Sequence, residues 1–188
     1  MQLMFYIALI HYPVYDKNHN IIGTAITSLD IHDIARVCKT YAVKKFFVIT
    51  PFESQKLLCE KIINHWTDGY GAQYNPSRKE AFESVSVVND LETALKEIKA
   101  AEGKEPLKIV TAARSFDKSI SCQELGKIIS TGEKPAILLF GTGWGLEESF
   151  IKDSDIILKP ISGTNSYNHL SARSAVAIIL DRLLGKDS

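Results

Sequence analysis

An α/β fold, a parallel sheet flanked by helices, is predicted by three features of the chain. Short apolar runs alternate along the whole length with longer stretches whose apolar residues recur at helical spacing. Two of the runs, 136–140 and 155–158, end in glycine or proline and open into polar loops, as buried parallel strands do where backbone approaches a ligand. The last segment, Ala172–Leu184, is so rich in alanine, isoleucine and leucine that it reads as a packed helix. Strands alternating with helices imply βαβ units with right-handed crossovers, and the chain carries no internal repeat and no low-complexity tract.

The elements follow in order. Residues 3–10 form a first strand, followed by a polar turn at 15–20 and a short extension or hairpin arm at 21–26. Ser28 and Asp30 can each cap a helix, and Ile31, Ile34, Ala35, Cys38 and Tyr41 then recur at helical spacing, which predicts a helix over 31–41. Residues 46–49 are the next strand, halted by Pro51, and 53–66 a second helix with Cys59 on its core face. The interval 68–79, with two glycines, a proline and two tyrosines, reads as a long functional or mobile loop. A strand at Val85–Val88, a helix at 91–101, a strand at 107–110, a loop at 111–119 and a helix at Cys122–Ser130 complete the series before 136.

At 188 residues, 45% hydrophobic and 23% charged, one sizeable core is expected, hence one domain over 1–188. Lys and Arg number 22, as do Asp and Glu, so the formal net charge is zero and any grip on a polyanion must come from local charge. The run 3–10 has no basic residue before it and stops at His11-Tyr12-Pro13, which argues for a strand rather than a signal sequence. No segment approaches the roughly 18 apolar residues of a membrane span. Cys38, Cys59 and Cys122 lack metal-ligand spacing. A cytoplasmic protein with reduced thiols and no metal is expected.

Chemistry concentrates in two loops. Gly141, Gly143 and Gly145 alternate with Thr142 and Trp144 directly after Phe140, a pattern that lets backbone N–H and C=O groups reach the edge of a flat adenine. The same pattern serves a tight turn between strand and helix. The dinucleotide fingerprint G-x-G-x-x-G fails because the third glycine comes one residue early, and no Gly-Lys-Ser/Thr marks a P-loop. Residues 162–171 are denser in hydrogen-bonding side chains than a connection requires, and Ser171 also suits the N-cap of the last helix. His169 is open to a role as a base or to a structural one. Thr111, Ala112 and Ala113 are small enough to pack against a cofactor and Arg114 suits a phosphate, although a surface arginine in a surface loop is equally ordinary. Tyr70, Tyr74, Arg78 and Lys79 combine stacking faces with positive charge, as RNA contacts or as dimer contacts.

Residues 138–146 (LLFGTGWGL) and 161–171 (ISGTNSYNHLS), with the alanine-rich helix after them, resemble the second and third motifs of the SPOUT superfamily of S-adenosylmethionine-dependent RNA methyltransferases, and within it a bacterial single-domain family without an assigned substrate. The resemblance extends over nearly the whole chain. It implies a C-terminal trefoil knot, an α/β knot, over approximately 136–184. It also implies S-adenosylmethionine as cofactor, tRNA or rRNA as substrate, and a homodimer in which the knot and last helix of one subunit border the RNA site of the other. By the same resemblance Phe140, Gly141, Gly143, Trp144 and Gly145, with Thr111, Ala112 and Ala113, belong to the cofactor site. Ile161, Gly163, Tyr167, Asn168, His169 and Leu170 belong to the segment that wraps the methionine part, with Asn168 and Ser171 near the methyl donor.

Residues 34–43 resemble the first motif, in which an asparagine and an arginine six positions apart serve the ribose-methylating branch. Arg36 matches the arginine and Asp30 replaces the amide, so the acceptor stays open between a base nitrogen and a ribose oxygen. Arg36, Asn168 and Ser171 are the catalytic candidates; Asp30, Arg36, Arg78 and Arg114 are the candidates for RNA binding. His32 and Asp33 fit either the site or a solvated first turn. Two rival readings remain: a catalytically inactive cofactor-binding module that binds RNA or a partner protein, and an α/β protein for another adenine nucleotide.

Overall fold

A computed structural model describes residues 3–186; the outermost positions of the expected 1–188 domain lie outside the described residues. The chain runs β1 (Phe5–Ile10), β2 (Val14–Tyr15), β3 (Ile21–Ile22), α1 (Ser28–Thr40), β4 (Lys45–Ile49), α2 (Glu53–Thr67), α3 (Tyr70–Tyr74), α4 (Pro76–Phe82), β5 (Val85–Val88), α5 (Leu91–Glu102), β6 (Leu107–Thr111), α6 (Cys122–Ser130), β7 (Ala136–Gly141), α7 (Glu148–Lys152), β8 (Ile156–Leu158) and α8 (Ala172–Leu184). Six strands form one sheet in the order β5-β4-β1-β7-β6-β8. Every pairing in it is parallel. β1 lies between β4 and β7, with Ile10 opposite both Ile49 and Gly141. The sheet thus changes its direction of growth beside β1, the place where open parallel sheets receive ligands beyond their strand ends.

Period-two alternation on β1 divides the core into two layers. Phe5, Ile7 and Leu9 face one layer, which takes Ile31, Ile34, Ala35 and Cys38 from α1, Leu125 and Ile129 from α6, and Val176, Ile179 and Leu180 from α8. Tyr6, Ala8 and Ile10 face the other, which is covered by Ala94 and Ile98 of α5 and, less completely, by Phe150 and Ile151 of α7. Both faces being buried explains why the strands read as unbroken apolar runs.

Local chemistry sets the helix ends. Asp90 caps α5 by accepting from Thr93 N–H, and α5 stops at Gly103. Ser121 and Glu124 form a capping box at the start of α6. Ser171 accepts from Ser174 N–H and opens α8, as its position predicts. α1 starts earlier than its apolar spacing implies: Thr27, rather than Ser28 or Asp30, is the cap, and its side chain accepts from Asp30 N–H.

The structure corrects three expectations about the chain path. The interval 68–79 is not a loop but contains α3 and the start of α4. Asn75 accepts from Arg78 N–H at 3.0 Å and Pro76 fills the first turn, so the composition that looks like a breaker is a helix start. α7 occupies a stretch where no element is expected, capped by Glu147. The arm at 21–26 shrinks to Ile21–Ile22, paired antiparallel with Val14–Tyr15. Among the described residues no helix is long and apolar enough to cross a membrane, and no group of three His, Cys, Asp or Glu side chains is placed to hold a metal ion.

Candidate active site

A cavity of about 770 Å³ opens beyond the carboxyl ends of β6, β7 and β8. Its first wall is the glycine loop at 141–146. The loop is tied to the β2–β3 hairpin by two reciprocal backbone bonds, Trp144 N–H to Tyr15 C=O and Tyr15 N–H to Gly145 C=O, both 2.9 Å. Gly143 sits at φ +58°, and a Cβ there would meet the Tyr15 carbonyl oxygen at 2.9 Å. Its lack of a side chain is what lets the hairpin close on the loop. A Cβ on Gly145 would meet nothing within 4 Å. Trp144 projects outward, 66% exposed, with its ring centroid 6.3 Å from that of His169, which in turn lies 5.3 Å from Tyr167.

The second wall comes from the end of β6. Thr111 donates its hydroxyl to Leu139 C=O at 2.9 Å, so its side chain stitches β6 to β7 instead of pointing at a ligand. Ala112, Ala113 and Arg114 continue this wall, and the Arg114 guanidinium stacks on Phe116 at 4.8 Å. The third wall is the segment after β8. Asn168 donates its amide to Ala113 C=O at 2.8 Å, joining the two loops across the cavity mouth. Ile161, His169, Leu170 and Ser171 line it as well.

The floor nearest α1 carries charge. Arg173, on the first turn of α8, places Nη1 3.0 Å from Asp30 and Nε 3.5 Å from Asp33. Asp30 also receives the Thr27 hydroxyl at 2.5 Å. Its side chain is only 14% exposed and so is held in one orientation by two donors. This places a carboxylate, rather than an amide, at the cavity edge.

The structure therefore brings together Asp30, Thr111, Ala112, Ala113, Arg114, Phe140, Gly141, Gly143, Trp144, Gly145, Ile161, Asn168, His169, Leu170 and Ser171 around one cavity. Four candidates lie elsewhere. Arg36 is on the exposed face of α1, away from the cavity lining. Arg78 stacks over Trp66 at 4.5 Å, among α1, α2 and α4. Gly163 and Tyr167 stand outside the lining, Tyr167 71% exposed. Arg173 and Thr142 are two further residues of the site. Arg173 lies in an otherwise apolar helix and its acidic partners are far off in sequence on α1, so no local pattern marks it; Thr142 stands in the glycine loop, but its partner Thr24 is equally remote in sequence.

The residues fit an adenosine-like group with a charged tail. Phe140, Leu146, Ile151, Ile161 and Ile179 make the cavity largely apolar, no atom crowds the position a Cβ on Gly145 would take, and polar side chains such as Asn168 and Ser171 line it as well.

Fold and cavity together define a parallel α/β protein with a ligand site built on strand ends and a C-terminal helix. Residues 4–185 match the sequence pattern of the SAM-dependent RNA methyltransferase family, and the chain belongs to that family. An uncharacterised protein of Aquifex aeolicus is 36% identical over 182 residues, which are 97% of this chain and 89% of that one. A tRNA (guanine-N(1)-)-methyltransferase of Nitratidesulfovibrio vulgaris is 41% identical over 180 residues; these are 96% of this chain but only 42% of that protein. This chain thus spans less than half the length of that relative. Among solved structures, a probable methylase family protein from Haemophilus influenzae superposes with a TM-score of 0.64 at 16% identity over 97% of this chain and 66% of that one. A TrmH/SpoU tRNA modifying enzyme of A. aeolicus does so with a TM-score of 0.55 at 15% identity, over 97% and 75%. The fold is thus that of the SpoU-type methyltransferases, and S-adenosylmethionine is the cofactor of the family.

Proposed function

We propose that this chain transfers a methyl group from S-adenosylmethionine to a base nitrogen or a ribose oxygen of tRNA or rRNA, acting in the cytoplasm as a homodimer with a C-terminal trefoil knot. The observation that carries the proposal is the cavity at the ends of β6, β7 and β8, in which an apolar slot meets the Asp30–Arg173 pair.

The glycine loop and the 111–113 wall would hold the adenosine end, and the segment carrying Ile161, Gly163, Tyr167 and Asn168 would wrap the methionine end. When bound, the cofactor supplies an electrophilic methyl on a sulfonium. The protein must then align the acceptor atom and remove its proton. Asp30 would take that proton, a role supported by its place in the cavity lining and by Arg173, which holds its carboxylate from α8. Asn168 and Ser171 are hydrogen-bonding groups at the mouth, and Arg114 offers a guanidinium to a phosphate. Arg36 projects from the same helix as Asp30 toward solvent, where a nucleic acid or a second subunit would meet it. The segment between β8 and α8 is pinned to the loop after β6 through Asn168 and Ala113, and Ile120 is bridged to Ile157 and Lys159; both support a knotted path.

The test is calorimetric titration with S-adenosylhomocysteine, followed by transfer of labelled methyl from S-adenosylmethionine to unfractionated tRNA and to rRNA. Stoichiometric binding and transfer to one RNA class are expected. Binding without transfer to either would make the chain a cofactor-binding module, and no binding by the folded protein would refute the cofactor site.

A further inference from the structure

Beneath the glycine loop, at the end of β1, three polar side chains run through an otherwise apolar layer. His11 is 1% exposed. Its Nδ1 lies 3.0 Å from Thr24 Oγ1, Thr24 Oγ1 lies 2.5 Å from Thr142 Oγ1, and Thr142 Oγ1 lies 3.0 Å from the Ile10 carbonyl oxygen. The direction of donation is forced from the far end. A carbonyl only accepts, so the Thr142 proton goes to Ile10. A hydroxyl has a single proton, so Thr24 must donate to Thr142, and His11 must donate from Nδ1 to Thr24. The ring is thereby fixed as an Nδ1–H donor. Its Nε2 is buried without a side-chain or backbone partner, where a second N–H would be unpaired.

The relay begins on rigid backbone and ends in the loop. His11 N–H donates to Ile49 C=O, and Thr24 N–H donates to His11 C=O, each at 2.9 Å, so neither end of the first link is free to drift. Thr142 is a member of the cavity lining, directly before Gly143 and its contact with Tyr15. We propose that His11 is a positioning residue for cofactor binding: as an Nδ1–H donor it orients Thr24, and through Thr24 it orients Thr142, holding the 141–146 loop in the shape that receives the adenine end of S-adenosylmethionine. This rests on the cofactor reading of that loop and adds a residue lying outside the cavity itself.

An asparagine can place an amide N–H where the histidine has Nδ1–H, whereas a glutamine reaches instead toward the Nε2 position. Thr24→Val keeps the shape of the threonine and removes both roles of its hydroxyl. Wild type, His11→Asn, His11→Gln and Thr24→Val are titrated with S-adenosylhomocysteine, with thermal melts of the unliganded proteins in parallel. His11→Asn should bind within about threefold of wild type, and His11→Gln and Thr24→Val about tenfold or more weakly, the scale of one buried hydrogen bond lost. A merely structural role would lower melting temperatures without this ordering of affinities. Wild-type affinity in Thr24→Val, which does not depend on the histidine variants folding, would overturn the relay. Failure of the wild-type protein to bind would instead remove the cofactor reading, and the relay's purpose with it.

Discussion

Replacing Gly143 by alanine should damage cofactor binding, and replacing Gly103 by alanine supplies the internal reference. Both glycines have left-handed backbone, φ +58° and +71°. For an L-residue that conformation costs roughly 1–2 kcal/mol. A Cβ at Gly103, the end of α5, meets nothing within 4 Å. Gly103→Ala should therefore lose only the conformational term, about 1 kcal/mol, and melt about 2–4 °C lower. At Gly143 the Cβ would come 2.9 Å from the Tyr15 carbonyl oxygen and 3.4 Å from Thr24 Cγ2. The Tyr15 oxygen is main chain and already accepts Trp144 N–H, so the collision is relieved only by moving loop and hairpin apart. Losing one of the two loop bonds adds about 1 kcal/mol, for a total of about 2–3 kcal/mol. Because the displaced atoms line the cavity, affinity for S-adenosylhomocysteine should fall about tenfold or more, while Gly103→Ala retains it. Scanning calorimetry and isothermal titration on the two variants test both halves. If Gly143→Ala binds as tightly as Gly103→Ala, the glycine loop does not shape the cofactor site.

Three further outcomes follow from the same geometry. Burial pushes the His11 pKa down to about 4 from an ordinary 6.5, against the opposing charge of Asp30. Below pH 6.5 the unfolded chain takes up a proton that the folded chain refuses, so stability contributed by neutral His11 falls as pH drops from about 6.5 to about 4, by up to about 3 kcal/mol. Urea unfolding at pH 7 and 4.5 should show wild type losing more than His11→Asn; parallel losses would contradict the buried neutral ring. Asp30→Asn and Arg173→Ala should each slow methyl transfer to unfractionated tRNA or rRNA by about tenfold or more, with affinity for S-adenosylhomocysteine unchanged. Asp30→Asn should change stability by about 1 kcal/mol or less, whereas Arg173→Ala leaves a carboxylate that is 14% exposed without its cation and should cost more; full activity in Asp30→Asn would exclude the carboxylate as proton acceptor. Trp144→Phe should abolish the fluorescence change on adding S-adenosylhomocysteine, and Trp66→Phe should keep it, because Trp144 borders the cavity while Trp66 packs against Phe82 and Arg78.

Much of the fold was legible because its signals are local. Apolar runs buried on both faces, helical spacing on α1, and the serine before α8 each declare themselves within a few residues. The misreading of 68–79 was also local. Two glycines and a proline read as breakers there, although Asn75 followed by Pro76 is a start signal when a helix comes after it. The two loops that form the cavity were legible as well, since a strand that stops at glycine or proline leaves its polar loop at the sheet edge.

By itself the amino-acid order marked the six strands of the parallel sheet, their burial on both faces, the longer helices, and the two loops near the C-terminus that carry the chemistry, while α3, α4 and α7 carried no such mark. The tertiary structure alone decided which distant side chains meet. Arg173 reaches Asp30 across 143 positions and Thr24 reaches Thr142 across 118. Arg36, which resembles a functional arginine by its spacing, is exposed on α1 and outside the cavity lining. Periodicity along a chain reports which face of an element is apolar. It carries no record of which strands lie side by side, and it is the sheet order β1-β7-β6-β8 that sets one loop against another and encloses the site.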